Sequence, residues 1–304
     1  MANRVAATGA LLVGGASSRF GSPKALALFR GETLATRAWR KIGEVFEEVV
    51  AIGKAGNALD LPFPVVDDGT DERAPVFGVL AALRASSYDT CVVLPVDCPL
   101  ASVETLRLLD ERRAVPQTGP LPGAYTTELI PLLERRVAEG ELSMRGVNPV
   151  VVEVDEVELL NVNTRLDLIT AAIASWALEC DDVRAAVVLG SHARPETAAD
   201  RSSDLDVILL VDDPAHYARD EAWVSEFGRP VLTFLEPTVV GDQHERRVLY
   251  EDGEDVDLTL IPAAAFERLD SSEDVPQLFA RRYRVLVDEI GLSERLRIVA
   301  SGLA

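Results

Sequence analysis

The sequence predicts an α/β chain of two domains, an N-terminal three-layer domain around a mostly parallel sheet and a C-terminal α+β domain. In the first part of the chain, apolar strand-like runs alternate with segments of helical periodicity, as in βαβ units. In the second part, strand-like runs follow one another with less helix between them. The 304 residues, 48% of them hydrophobic, are enough for two separate cores.

The N-terminal domain is predicted over residues 1–172. Apolar runs predict a buried strand at Val5–Val13 and further strands at Val49–Ile52, Thr90–Val96 and Pro149–Val154. Apolar residues three and four apart predict helices at Thr33–Phe46, Val76–Ser86, Ser102–Arg113 and Thr126–Glu139. Ser102 is the expected N-cap of its helix. Val115–Gly123 is expected to be a loop because of its prolines and glycines.

The C-terminal domain is predicted over residues 173–304. The boundary is placed inside the amphipathic helix Arg165–Glu179, which could serve both domains. Strands are predicted at Val183–Leu189, Leu205–Val211, Val231–Phe234, Val248–Tyr250 and Val256–Ile261.

The charge of the chain argues against two classes of partner. The formal net charge is −20, whereas proteins that bind nucleic acid or anionic membrane surfaces carry excess lysine and arginine. No apolar run approaches the roughly 18 residues that span a bilayer. The three cysteines have no metal-ligand spacing, and their odd number suits a reducing compartment. We therefore expect a cytoplasmic protein without nucleic-acid or membrane partners.

The segment LLVGGASSRFGSPKAL, Leu11–Leu26, has the layout of an anion-binding loop between a strand and a helix. It is not a P-loop, which needs Gly-Lys-Ser/Thr, and it is not a dinucleotide fingerprint, because Gly14 and Gly15 are adjacent. Glycines allow a phosphate or a base to approach the backbone closely. Arg19 and Lys24 add two cations that can stabilise a triphosphate.

This segment resembles the signature of the MobA-like nucleotidyltransferases, the family of molybdenum cofactor guanylyltransferase. Three further segments resemble motifs of that family in the same order. They are VVDDGTDERAPVFGVLAAL at Val65–Leu83, VVLPVDCPL at Val92–Leu100 and NVNT at Asn161–Thr164. The likeness covers about residues 5–172. The family often has an asparagine just after the second strand, where this chain reads Gly53-Lys54.

The resemblance implies a Rossmann-like domain that transfers NMP from an NTP such as GTP to a cofactor precursor such as molybdopterin, releasing pyrophosphate. It implies Mg²⁺ as the cofactor, held by Asp97 and Asn163. Arg19 and Lys24 would stabilise the pyrophosphate. The nucleotide-binding residues implied are Leu12, Gly14, Gly15, Lys24 and Asp68.

A second constellation lies in the C-terminal domain. Gly190 and Ser191 follow a predicted strand. After twelve intervening residues, Asp204 and Asp206 begin the next strand. Two aspartates two positions apart on a strand project to one face. They repel each other unless a counter-charge such as a divalent cation is present. Asp257, flanked by apolar residues, is a candidate third acid on a neighbouring strand.

This pattern resembles the polymerase-β-type nucleotidyltransferases, and more narrowly the N-terminal domain of aminoglycoside 6-adenylyltransferase. The likeness covers about residues 172–290 and includes GSHARP, 190–195, and VDLTLIP, 256–262. It implies that Gly190 and Ser191 bind the nucleotide phosphates. It also implies that Asp204, Asp206 and Asp257 are catalytic and bind two Mg²⁺ ions.

Three other functions stay open at this point. The first domain could use a sugar phosphate or another small molecule as the acceptor, because the same loop serves several acceptors. The chain could instead be a nucleotide sensor without turnover. The second domain could adenylylate an aminoglycoside-like or other hydroxyl acceptor. The sequence does not predict the oligomeric state.

Overall fold

A computed structural model describes residues 4–14, 20–54, 59–193, 204–237, 244–266 and 282–302. The chain divides into two compact units, Met1–Thr164 and Arg165–Ala304. The predicted boundary at 172/173 lies inside a helix that this division assigns whole to the second unit. Each described helix is too short or too polar to cross a membrane.

The described residues of the first unit form nine strands. They are β1 Val5–Leu12, β2 Leu28–Phe29, β3 Glu32–Thr33, β4 Phe46–Gly53, β5 Val66–Asp67, β6 Thr90–Pro95, β7 Val115–Pro116, β8 Gly123–Thr126 and β9 Val151–Val152. The main sheet has the order β5-β4-β1-β6-β8. Its first four strands are parallel and β8 is antiparallel to β6. The expected mostly parallel sheet is confirmed.

In the described residues of the first unit, four helices accompany the main sheet. They are α1 Leu34–Val45, α2 Pro75–Ala85, α3 Val103–Arg112 and α4 Ile130–Ala138. Alternate residues of β1 face the two sides of the sheet, since Gly9 lies against Ile42 of α1 while Ala10 packs in the cluster of α2. The predicted N-cap is confirmed, because Ser102 Oγ accepts from Thr105 N–H at 2.9 Å.

In the part of the second unit that the structure describes, six strands form one mixed sheet with the order β12-β13-β14-β11-β10-β15. The strands are β10 Val183–Leu189, β11 Leu205–Val211, β12 Pro230–Pro237, β13 His244–Tyr250, β14 Asp255–Pro262 and β15 Tyr283–Asp288. β11 and β14 run parallel, and the other pairs are antiparallel. The helices are α5 Arg165–Ala177, α6 Pro214–Arg219 and α7 Leu292–Gly302. This is the expected α+β architecture.

Aromatic packing anchors α5 in the second unit. The ring of Trp176 stacks on Trp223 at 5.3 Å between centroids and meets Phe227 edge-on at 5.3 Å. Tyr217 of α6 also packs edge-on against Trp176 at 5.7 Å. Such pairs contribute beyond the area that they bury. The helix that the sequence places at the boundary is therefore a core element of the second unit.

Candidate active site

The glycine-rich segment ends in a lysine whose ammonium group joins two other predicted site residues. Lys24 opens a short 3-10 turn, Lys24–Leu26. Its Nζ atom donates to Asp97 Oδ2 at 3.0 Å and to Asn163 Oδ1 at 3.1 Å. The side chains of Lys24 and Asp97 are 14% and 25% exposed, so a ligand can still reach the pair. The fold thus brings together three predicted residues that lie far apart in sequence.

Main-chain hydrogen bonds fix Asp97 at the carboxyl edge of the parallel sheet. Strand β6 ends just before Val96, whose N–H donates to the carbonyl of Leu12 at 3.0 Å. The carbonyl of Asp97 accepts from the N–H of Val162 at 2.8 Å. This bond holds the Asn-x-Asn-Thr segment beside Asp97, and Asn163 follows next in the chain. Open α/β sheets place their ligands at this edge.

The glycine-rich loop passes close to the end of β4. A Cβ atom built on Gly14 would lie 3.4 Å from Gly53 Cα and 3.6 Å from Lys54 Cγ. These two residues stand where the family often has its asparagine. Gly15 and Arg19 lie outside the described residues, and the roles predicted for them stay predictions.

Asp68, predicted to contact the nucleotide, is engaged by a lysine that the sequence pattern did not single out. Lys54 Nζ donates to Asp68 Oδ2 at 2.6 Å, and the two side chains are only 16% and 8% exposed. The same ammonium donates to the carbonyls of Thr70 at 2.9 Å and Glu72 at 2.6 Å. The N–H of Asp68 donates to the carbonyl of Gly53 at 2.9 Å. The loop after β5 is therefore fastened to the end of β4.

Another lysine that the sequence pattern did not single out holds the loop that follows Asp97. Lys41 of α1 donates to the carbonyls of Pro99 at 2.8 Å and Ala101 at 2.6 Å, and Arg37 Nε donates to Pro99 at 3.4 Å. Burial lowers the pKa of Lys41 to about 8. Lys41 adjoins the apolar face of the predicted helix, and this position could have indicated from the sequence that its side chain is buried.

The oxygen atoms of Asp97 and Asn163 fit a divalent cation. A carboxylate and an amide oxygen are hard ligands of the kind that Mg²⁺ takes in proteins. Both oxygens already accept from one positively charged group, since the Lys24 ammonium lies 3.0 and 3.1 Å from them. The ammonium group thus provides the positive charge that a metal ion would bring to these oxygens. Asp97 and Asn163 would hold the ion, with Lys24 at their side.

In the second unit, the predicted acids lie on adjacent parallel strands. Asp206 of β11 is the register partner of Asp257 of β14, and Asp204 immediately precedes β11. Gly190 follows β10 with a φ of +71°, and a Cβ atom built there would lie 3.7 Å from Asp206 Oδ2. The Gly-Ser turn therefore meets the acids, with Ser191 next along the turn.

An arginine on the neighbouring strand compensates these acids. Arg247 of β13 is the register partner of Asp257, and its Nε donates to Asp257 Oδ1 at 2.8 Å. Its Nη2 atom lies 3.4 Å from Asp204 Oδ2 and 3.9 Å from Asp255 Oδ2. Burial, and after it the negative charge of Glu245, raises the pKa of Asp257 to about 6 against the opposing effect of Arg247. The sequence pattern singled out the acids but not this counter-charge.

The carboxylates of the second site are suitable ligands for a divalent cation, but the guanidinium group of Arg247 already pairs with two of them. Over the ranges that the structure describes, no three Asp, Glu, His or Cys side chains converge as a metal site. A cation at Asp204 and Asp257 would have to compete with the guanidinium. The two-metal role of Asp204, Asp206 and Asp257 stays a prediction.

Comparison with known proteins follows the division into two units. Residues 9–146 match the family model of the MobA-like NTP transferase domain. A protein of Aquifex aeolicus (strain VF5), named "probable molybdenum cofactor guanylyltransferase", is 31% identical over 173 residues, which are 52% of this chain and 86% of that protein. The chain belongs to the MobA-like NTP transferase family. It is a nucleotidyltransferase, as the motif resemblance indicated.

Other relatives of this MobA-like chain match the same region. A protein of Opitutus terrae with the same name is 35% identical over 162 residues, covering 47% of this chain and 78% of that protein. The solved structure of molybdopterin-guanine dinucleotide biosynthesis protein A from Archaeoglobus fulgidus is 23% identical. It covers 56% of this chain and 99% of that one, with a TM-score of 0.48.

The second unit of the MobA-like chain matches a different family. Residues 165–301 match the streptomycin adenylyltransferase model. A solved aminoglycoside 6-adenyltransferase from Bacillus subtilis is 22% identical, covering 33% of this chain and 35% of that one, with a TM-score of 0.26. The chain therefore joins a MobA-like NTP transferase domain to a streptomycin adenylyltransferase-like domain.

Proposed function

We propose that the first unit transfers GMP from GTP to molybdopterin or a closely similar phosphorylated acceptor, with Mg²⁺, in molybdenum cofactor biosynthesis. The observation that carries this proposal is the meeting of Lys24, Asp97 and Asn163 at the carboxyl edge of the parallel sheet. The names of the relatives from Aquifex aeolicus and Opitutus terrae support the choice of base and acceptor.

The reaction exchanges one phosphoanhydride bond for another. An acceptor phosphate oxygen attacks the α-phosphorus of GTP, the bond from that phosphorus to the β-phosphate bridging oxygen breaks, and pyrophosphate leaves. Lys24 stabilises the negative charge that moves onto the pyrophosphate. Asp97 and Asn163 would hold the divalent ion, which would supply positive charge to the phosphate oxygens. Gly14, which lacks a side chain, lets the start of the glycine-rich segment pack closely against Gly53 and Lys54.

Positioning accounts for much of the expected rate. The loop after β6 is held by Lys41, and the segment of Asn163 is tied to the carbonyl of Asp97. The groups around the α-phosphate are therefore in place before the substrate arrives, which removes part of the entropic barrier. The same fixed charges do not need to reorient as the leaving group departs.

The full chain is tested with α-labelled GTP, CTP or ATP, molybdopterin, and either Mg²⁺ or EDTA. We expect label in a dinucleotide product and an equal amount of pyrophosphate from GTP with Mg²⁺, and neither product with EDTA. Product from CTP in place of GTP would correct the base. Absence of pyrophosphate with all three nucleotides and molybdopterin would contradict the proposal.

We also propose that the second unit transfers AMP from ATP to a hydroxyl acceptor. The acceptor oxygen attacks the α-phosphorus, the bond from that phosphorus to the β-phosphate bridging oxygen breaks, and pyrophosphate leaves. This proposal rests on the register of Asp206 with Asp257 and on the approach of Gly190 to Asp206, together with the family match. Gly190 and Ser191 would face the phosphates, and Asp204, Asp206 and Asp257 would carry the ions. An adenylylation assay with streptomycin and simpler polyols, comparing the wild type with Asp206→Ala, tests it. Equal activity of the two proteins would contradict it.

A further inference from the structure

We propose that Lys54 is a positioning residue for the nucleotide site of the first unit, and that Asp68 acts as its partner in a clamp rather than as a reader of the base. The clamp consists of Lys54, Asp68, Thr70 and Glu72. This inference rests on the proposed nucleotidyl transfer in the first unit. It departs from the role that the resemblance implied for Asp68.

The ammonium group of Lys54 has a hydrogen-bond acceptor for each of its three donors. Those acceptors are Asp68 Oδ2 at 2.6 Å, the Thr70 carbonyl at 2.9 Å and the Glu72 carbonyl at 2.6 Å. The lysine side chain is only 16% exposed. A largely buried charge with all its donors satisfied is a fixed part of the structure, because losing one partner leaves an uncompensated charge. No donor is left over for a nucleobase.

The carboxylate of Asp68 is equally committed to its own loop. Its Oδ2 atom accepts from Lys54, and its Oδ1 atom accepts from the N–H of Thr70 at 3.3 Å. The hydroxyl of Thr70 then accepts from the N–H of Glu72 at 3.1 Å. The Asp68 side chain is 8% exposed, so it points into the clamp and not towards solvent. Its carboxylate therefore organises the loop of residues 68–72.

The clamp lies against Gly14, at the start of the glycine-rich segment. The Cγ atom of Lys54 would be 3.6 Å from a Cβ atom on Gly14, and the N–H of Val13 donates to the carbonyl of Ile52 at 2.9 Å. The Lys54 ammonium also lies 5.8 Å from the ring centroid of Phe77 in α2. Lys54 thus joins the loop that receives the triphosphate, the loop of residues 68–72 and the first turn of α2.

Because the clamp shapes the site without touching the base, its loss should weaken the binding of every nucleotide equally. A base reader behaves differently, since removing it changes the preference among bases. The two roles therefore make different predictions for Lys54→Met and Asp68→Asn. Lys54→Met keeps the apolar stem beside Gly14 and removes the charge, and Asp68→Asn keeps the shape of the side chain.

The full chain is assayed for pyrophosphate release with molybdopterin, Mg²⁺ and GTP, CTP or ATP. Each single variant should raise KM about 10-fold, and the factor should be the same for every nucleotide that turns over. The value of kcat should stay within about 2-fold of wild type. The double variant should be no worse than either single variant, because the two residues form one unit. The matched control is Arg84→Met, which breaks the exposed Arg84–Glu134 pair in the same unit and should change nothing.

Hydrogen exchange gives a second readout that needs no turnover. Lys54→Met should accelerate exchange of the main-chain amides of Thr70 and Glu72, and should weaken displacement of a fluorescent GTP analogue by unlabelled GTP. A wild type that binds the analogue but releases no pyrophosphate would defeat the proposed function and leave the clamp testable. Unchanged KM and unchanged exchange in Lys54→Met would overturn the clamp. So would a shift in base preference confined to Asp68→Asn.

Discussion

At the scale of single residues, three of the predicted site acids each pair with a side-chain cation. Asp97 is met by Lys24, Asp68 by Lys54 and Asp257 by Arg247. Carboxylates gathered at one sheet edge repel one another, so a protein without a bound ion must supply the positive charge itself. The internal cations therefore mark the places where an external cation or a phosphate has to compete or cooperate.

The sequence predicted the acids more completely than their partners. Asp97, Asn163 and Lys24 come from motifs that the chain presents in order, so their meeting could be expected. Arg247 and Lys54 belong to no motif that was singled out, and the strand register and the loop path that bring them to their acids are set by long-range packing. A partner chosen by register cannot be read from local spacing.

Lys41 gives a pH-dependent prediction. Its pKa of about 8 in the folded chain lies below the ordinary 10.5, so between these values the unfolded chain holds a proton that the folded chain lacks. The free energy of unfolding of the wild type should therefore rise with pH from about 8 to 10.5, relative to Lys41→Met. Urea denaturation of both proteins on either side of pH 8 measures this difference. A difference that does not change with pH would contradict the expected burial.

At the scale of elements, strands and capped helices were predicted well where the local signal was strong. β10 and β11 begin and end at the predicted residues. The predicted helix Thr126–Glu139 instead starts with a short 3-10 turn, Thr127–Leu129, before α4, which has a proline in its first turn. The predicted loop Val115–Gly123 contains β7, whose partner β9 lies far along the chain. Pairing at such a distance leaves no local pattern.

Close packing of α1 on β1 can be tested at two glycines. A Cβ atom on Gly9 would lie 2.5 Å from Phe46 Cδ2 and 3.2 Å from Ile42 Cβ, whereas one on Gly43 meets nothing within 4 Å. Gly9→Ala should destabilise the first unit by about 1–3 kcal/mol through overpacking. Gly43→Ala, in the last turn of α1 where the added Cβ meets open space, should stabilise it by about 0.5 kcal/mol. Chemical denaturation measures both, and equal effects of the two substitutions would contradict the packing.

At the scale of the whole molecule, the chain joins two units that match two nucleotidyltransferase families. The sequence predicted this organisation because the pattern of strands and helices changes after the predicted helix Arg165–Glu179. It could not place the boundary to the residue, since α5 carries an apolar face that suits either neighbour. In the structure, Trp176 of α5 packs against the rings of residues 217, 223 and 227, all of which belong to the second unit.

We propose that nucleotidyl transfer takes place at the site where Lys24 hydrogen-bonds to Asp97 and Asn163. The most direct test is the transfer of label from α-labelled GTP to molybdopterin by the full chain and by Asp97→Ala. The control is Asp60→Ala, which removes an exposed carboxylate from the same unit. We expect kcat to fall at least about 100-fold in Asp97→Ala and to stay within about 2-fold of wild type in the control. Undiminished transfer by Asp97→Ala would contradict the claim.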